Sequence, residues 1–170
     1  MTNSGMKKIE SLNFGKDSKI LVYDNIDGPR QVNRNSLRAK KELRVIEASY
    51  ASLSVMFEQH EAEEIRKKFL KNRTKIYEIT NHAYRDYTNV EGFDEICMDT
   101  RYIDPKRFTI DVETLIYDDV VAFYTYNGED LFSFEVISER FAETQKRFFD
   151  SLWRTCERPV IGKGGRSSLF

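Results

Sequence analysis

Two strand-forming runs separated by only two residues constrain this chain more than any other feature. Residues 114–117 and 120–126 are β-branched and aromatic, and only Asp118-Asp119 lies between them, which predicts a tight hairpin. Asn127-Gly128 is a second turn signal. From 131 to 137 the residues alternate, with Phe132, Phe134 and Val136 on one side and Ser133 and Glu135 on the other. The alternation predicts a third antiparallel strand with its phenylalanine face buried. Ser138 follows as an N-cap. Phe141, Phe148, Phe149, Leu152, Trp153 and Cys156 then recur at helical spacing, and Pro159 marks a stop. That helix is expected to pack on the phenylalanine face, each large buried side chain contributing on the order of 2 kcal/mol.

This segment resembles the unit of the phospholipase D superfamily, in which a strand bearing His-x-Lys-x4-Asp leads into a hairpin, further polar strands and a closing helix. Asp111 stands where the His would be, Glu113 where the Lys would be, and Asp118 matches the Asp. Asn127 and Glu135 fall near the later polar positions. Among relatives, the chain is most similar to the phospholipase-D-like effector domains of TrmB-type transcriptional regulators, whose ends run through a comparable hairpin to an F-x-x-LW helix. The resemblance extends over residues 18–157 and is most specific in the last third.

The superfamily's chemistry uses a His nucleophile, a second His as acid, and Lys to stabilise phosphoryl charge. Here there are two histidines, His60 and His82, and neither begins a His-x-Lys. Acids at 111 and 113 place like charge where a phosphate would sit. The resemblance thus implies a protein that is not an enzyme: a non-catalytic ligand-sensing or protein-interaction module in transcriptional regulation, without catalytic residue, cofactor or metal. It also implies a homodimer with its degenerate sites face to face.

The 170 residues suit one domain, read as a lead-in over 1–18, an α/β domain over 19–158 and a tail over 159–170. Hydrophobic residues at 40% argue against disorder, and a net charge of −1 gives no general drive toward nucleic acid or membrane. No apolar run spans a bilayer and the polar start is no signal peptide, so a cytoplasmic protein with reduced Cys97 and Cys156 is expected. Lys19–Tyr23 reads as a strand and 29–41 as a basic helix opened by Pro29. Residues 43–49, 58–71 and 75–80 read as a βαβ unit, and 95–103 as a further strand. The expected whole is a mixed sheet of six or seven strands, parallel early and antiparallel late, with helices on both faces.

Open α/β sheets bind ligands at the carboxyl ends of their strands, which singles out Glu47, Ser49 and Asn81. With Asp111, Glu113, Asp118, Asn127, Glu135 and Arg101 they form the candidate site for a small, sugar-like ligand, since carboxylates and amides accept and donate hydrogen bonds to hydroxyls. Each has an ordinary role as well: Asp118 as a turn residue, Arg101 in an ion pair with Asp99, Glu113 or Glu135. Two alternatives stand beside this reading. A metal-dependent hydrolase would need Asp111, Glu113 and Asp118 to converge on one ion. A nucleic-acid-binding protein would use the basic helix with Arg30, Arg34, Arg38, Lys40 and Lys41. With no helix-turn-helix pattern in the sequence, DNA contact in a regulator would come from a protein partner.

Overall fold

The computed structural model describes residues 9–13, 18–23, 27–48, 53–82, 88–126, 131–158, 160–161 and 167–168. The hairpin forms where the sequence places it. Strands β6 (Glu113–Tyr117) and β7 (Val120–Tyr124) pair antiparallel with Tyr117 opposite Val120. Asp118 takes φ 43° in the turn, a left-handed conformation that Asp tolerates better than most residues. Strand β8 (Ser133–Ile137) adds to β7, and helix α5 (Glu139–Trp153) follows Ser138.

The βαβ unit is also present. Strand β3 (Glu42–Glu47) leads through α2 (Leu53–Met56) and α3 (Gln59–Asn72) to β4 (Lys75–Thr80), parallel to β3. The expected strand at 95–103 divides instead: α4 (Phe93–Cys97) makes a helical turn and only β5 (Met98–Tyr102) joins the sheet, parallel to β4. Burial of Phe93 and Cys97 on one side of that turn outweighs the strand propensity of the segment. Strand β2 (Lys19–Tyr23) pairs with β8. Helix α1 (Asp27–Ser36) is shorter than expected. Within the stretch read as a lead-in, β1 (Ile9–Asn13) pairs antiparallel with β2. A separate two-strand ladder, β9 (Val160–Ile161) with β10 (Ser167–Ser168), lies in the stretch read as a tail.

Among the described residues the main sheet therefore has eight strands, in the order β1-β2-β8-β7-β6-β3-β4-β5, rather than six or seven. It is mixed as expected, with α1 on one face and α5 on the other. Helix α5 lies on β6, β7 and β8 over the face that carries Phe123 and Phe134, whose rings sit 5.2 Å apart. Phe149 and Trp153 stack at 5.5 Å, and Trp153 meets Tyr77 edge-on at 5.7 Å.

Two expectations about β8 and α5 are corrected. Ser133 and Glu135, assigned to the outer face of β8, are the buried ones, because α1 covers that side. Phe132 is exposed. On α5, Ala142 and Phe149 face inward, whereas Phe148 is 64% exposed and Phe141 36% exposed. Cys97 and Cys156 are buried free thiols.

Candidate functional site

The register of the ladders places a row of polar side chains across the α1 face of the sheet. Glu113 pairs with Tyr124 and Tyr124 with Ser133; Glu47 pairs with Thr80 and Thr80 with Tyr102. Continuing the β3–β6 register by one residue sets Glu47 opposite Glu113, and continuing β2–β8 sets Tyr23 opposite Ser133. Residues directly opposite in a ladder share a face. The row therefore runs Tyr23, Ser133, Tyr124, Glu113, Glu47, Thr80, Tyr102, and it lies at the carboxyl ends of the parallel strands β3, β4 and β5.

Glu113 is the centre of this row. Its Oε2 accepts the Ala48 N–H at 2.7 Å, which ties β6 to the residue just beyond β3. Burial holds its carboxyl well above the usual glutamate range, reinforced by the charge of Glu47. Tyr124 bonds to Glu113, accepts from Asn33 Nδ2 at 2.8 Å, and is itself pushed far up by burial and then by Glu113. Asn33 belongs to α1, so this helix reaches the site through a side-chain amide.

One row further in, Glu135 organises a second buried group. It accepts from Tyr23 at 2.5 Å, from Asn35 Nδ2 at 3.0 Å and from Tyr117 at 3.1 Å, and Arg38 stands 3.9 Å away. The close seating of α1 requires Gly28. A Cβ there would lie 2.1 Å from Ser133 Oγ and 3.0 Å from Tyr23 Cβ. Ser133 Oγ is buried and has no hydrogen-bond partner among the described residues.

The remaining candidates fall in different places. Glu47 is half-buried and belongs to the row. Asp111 is exposed in the approach to β6, and Asp118 sits at the far end of that strand, roughly 16 Å from Glu113 at the usual rise per residue. The three acids do not converge, so the metal-dependent arrangement of Asp111, Glu113 and Asp118 is not formed. No group of three metal-ligating side chains occurs among the described residues.

Asn81 uses its amide on backbone, bonding Ile103 O, Phe108 O and the Ile110 N–H at 2.8–2.9 Å, and so fixes the segment that leads into β6. Arg101 reaches none of the expected carboxylates: it lies on the α5 face, 4.4 Å from the Trp153 ring, and donates to Trp153 O at 2.8 Å. Ser49 and Asn127 lie outside the described residues.

Three arginines of the basic stretch are engaged, Arg38 standing 3.9 Å from Glu135. Arg30 donates to Met56 O and Arg34 pairs with Glu61. Sequence reading missed Tyr23, Asn33 and Asn35 as partners of the buried acids. The available signal was a pair of asparagines inside a helix, where their low propensity asks for a tertiary reason.

Solved structures similar in fold include Nuc from Salmonella typhimurium, a phospholipase D family member, with a TM-score of 0.57, 14% identity, and coverage of 84% of this chain and 98% of Nuc. The fold is phospholipase-D-like. NucT from Helicobacter pylori shares this fold with a TM-score of 0.53 and 12% identity over 83% of this chain and 98% of NucT. TrmBL2, an archaeal chromatin protein with a novel mode of DNA binding, is similar at a TM-score of 0.57 and 15% identity, over 82% of this chain and 52% of TrmBL2. The chain thus spans about half the length of TrmBL2. No protein-family model matches the sequence, and no curated protein does.

These neighbours correct one expectation. The sequence reading held that the chain is not an enzyme, but its fold is shared over 98% of Nuc, a phospholipase D family member, and over 98% of NucT. The exclusion of an enzyme does not stand. No described helix is long and apolar enough to cross a membrane.

Proposed function

We propose that this phospholipase-D-like domain recognises a small polyhydroxylated ligand at the carboxyl edge of β3 and β4, and that it works within a regulatory assembly whose DNA contact is made elsewhere. The observation that carries the reading is Glu113: a buried carboxyl at that edge, bonded to the Ala48 amide and Tyr124 and set in a row of hydroxyls and acids. Within this row the half-buried Glu47 and Tyr102 carry a carboxyl and a phenol of the kind that bind sugar hydroxyls, with buried Glu113 and Tyr124 behind them.

The DNA-binding neighbour TrmBL2 supports the regulatory setting. The engaged arginines of α1 and the net charge of −1 argue that this chain is not itself the DNA-binding surface. A thermal-shift screen against neutral mono- and disaccharides, nucleotides and phosphodiesters tests the reading. A sugar at 100 times its Kd raises stability by about 2.7 kcal/mol. A phosphodiester that shifts the transition more than every sugar contradicts the proposal.

A further inference from the structure

Helix α5 lies on β6, β7 and β8, and among the described residues the β1 side of that sheet face stays open. Phe134 of this face pairs with Val22, and Leu12 pairs with Ile20, two residues back along β2 on the same face. Val22 and Phe134 are half-buried, whereas Leu12 is 55% exposed and Phe132, stacked on the Phe134 ring at 5.8 Å, is 40% exposed. The flank of α5 above this floor is aromatic too. Asp150 reaches Arg44 of β3 at 3.1 Å and Lys146 reaches Asp118 O at 2.8 Å, so that side of the helix looks toward β3 and β6. At about 100° per residue, Phe141 and Phe148 project from the opposite side, toward β8 and β2, and both are exposed. Helix flank and sheet floor form an apolar trough about 22 Å long, the length of the 15 residues of α5. The rings of Phe132, Phe141 and Phe148 alone leave about 280 Å² uncovered, in the range where apolar patches mark interaction sites.

The charges that border this flank of α5 are basic. Arg140, Arg147 and Arg154 recur every seven residues in a column along the outer side of α5 and its C-cap, separated from the phenylalanines by Thr144 and Ser151. No side-chain hydrogen bond or ion pair of these three arginines occurs among the described residues. The acids of α5, Glu139, Glu143 and Asp150, stand on the far side. There Lys146 binds Glu143 at 2.7 Å, with Arg147 adding its charge, and Arg44 binds Asp150. We propose that the trough receives an amphipathic helix of a partner protein, its apolar stripe on Phe132, Phe134, Phe141 and Phe148 and a row of Glu or Asp along the edge that meets the arginine column. The arginines give the surface its charge complement. The aromatic floor asks for a continuous apolar stripe, which an amphipathic helix carries and a nucleic-acid backbone does not. A helix laid there completes the layer that α5 begins on this face. This surface goes beyond the sugar reading and does not depend on it.

The probes are two helical peptides of about 16 residues that share one Leu-Ala stripe, the first with Glu along its edge and the second with Lys at the same positions. In a ¹H–¹⁵N NMR titration of the full chain, the Glu peptide shifts resonances of Phe132, Phe134, Phe141 and Phe148, and the Lys peptide binds at least tenfold more weakly. Phe148→Ser, a change at an exposed position, weakens the Glu peptide at least fivefold. Arg140→Glu combined with Arg147→Glu reverses the preference between the two peptides. No shift up to 1 mM peptide, equal binding of the two peptides, shifts centred on other residues, or an unaltered preference in the double reversal overturns the proposal. So does light scattering that gives two chains per particle for the parent and one for Phe148→Ser, which assigns the face to a second copy. Tighter binding of a short DNA duplex to the same arginines overturns it as well. The sugar screen reads the Glu113 edge on the other face of the sheet, so its failure leaves each of these readouts unchanged.

Discussion

Tyr23 donates its hydroxyl hydrogen to Glu135 Oε2 at 2.5 Å across 112 positions of sequence, and this bond joins β2 to β8 beneath α1. Asn35 from the helix binds both partners, at 3.0 Å each. A buried acid with several donors is a high-stakes arrangement: satisfied, it fixes one packing of α1, and stripped of a donor it leaves an unsolvated oxygen. Tyr23→Phe is expected to cost about 1–3 kcal/mol. In a urea-denaturation cycle with Glu135→Gln, the two changes should couple by about 1 kcal/mol or more. Simple additivity would mean that the bond does not hold β2 against β8.

Glu113 gives the fold a pH dependence of definite sign. Its carboxyl is held well above the ordinary glutamate value by burial and by Glu47. The native state therefore keeps a proton that the unfolded chain releases. This contribution is complete below the ordinary glutamate value, near pH 4.5, and is lost as pH rises through the native value. Glu113→Gln keeps an acceptor for the Ala48 N–H and removes the titration. Urea stability measured from pH 4 to 8 should be flatter in the variant than in the parent chain; parallel profiles would contradict this account.

The close approach of α1 at Gly28 is open to a paired test. Gly28→Ala places a methyl against Ser133 Oγ and Tyr23 Cβ, and overpacking of this kind costs about 1–3 kcal/mol. Adding Ser133→Gly to that variant should recover part of the loss by opening the space. Ser133→Ala alone removes an unpartnered buried hydroxyl and is expected to be neutral or stabilising in thermal unfolding.

Helix α5 shows how far the sequence could be read. Both Phe148 and Phe149 fit the apolar stripe by spacing, yet Phe149 is buried and Phe148 is exposed. Phe149→Ala should cost about 3–5 kcal/mol, and Phe148→Ala should stay within about 0.5 kcal/mol. The hairpin, the parallel pair and the helix were legible because their signals are local: spacing, turn chemistry, alternation. The same alternation misled for β8, since it identifies two faces without saying which one a later helix covers. Glu135 reads as solvated until α1, a hundred residues earlier, is laid over it.

The site was legible in part for the same reason. Glu113, drawn from the motif resemblance, and Glu47, drawn from the strand edge, fall opposite each other when the β3–β6 register is continued by one residue. Arg101 was matched to acids by charge alone, but strand parity puts it on the opposite face from Glu113 and Glu135. Asp118 was tied to Glu113 by spacing in the motif, and a strand's length carries it away.

The most direct test of the central claim is calorimetric titration of a neutral sugar that stabilises the fold, performed on the parent chain and on Glu113→Gln at pH 7. Binding at the carboxyl edge predicts one site per chain and at least a tenfold loss of affinity in the variant. Equal affinity in parent and Glu113→Gln would contradict the placement of the ligand at Glu113.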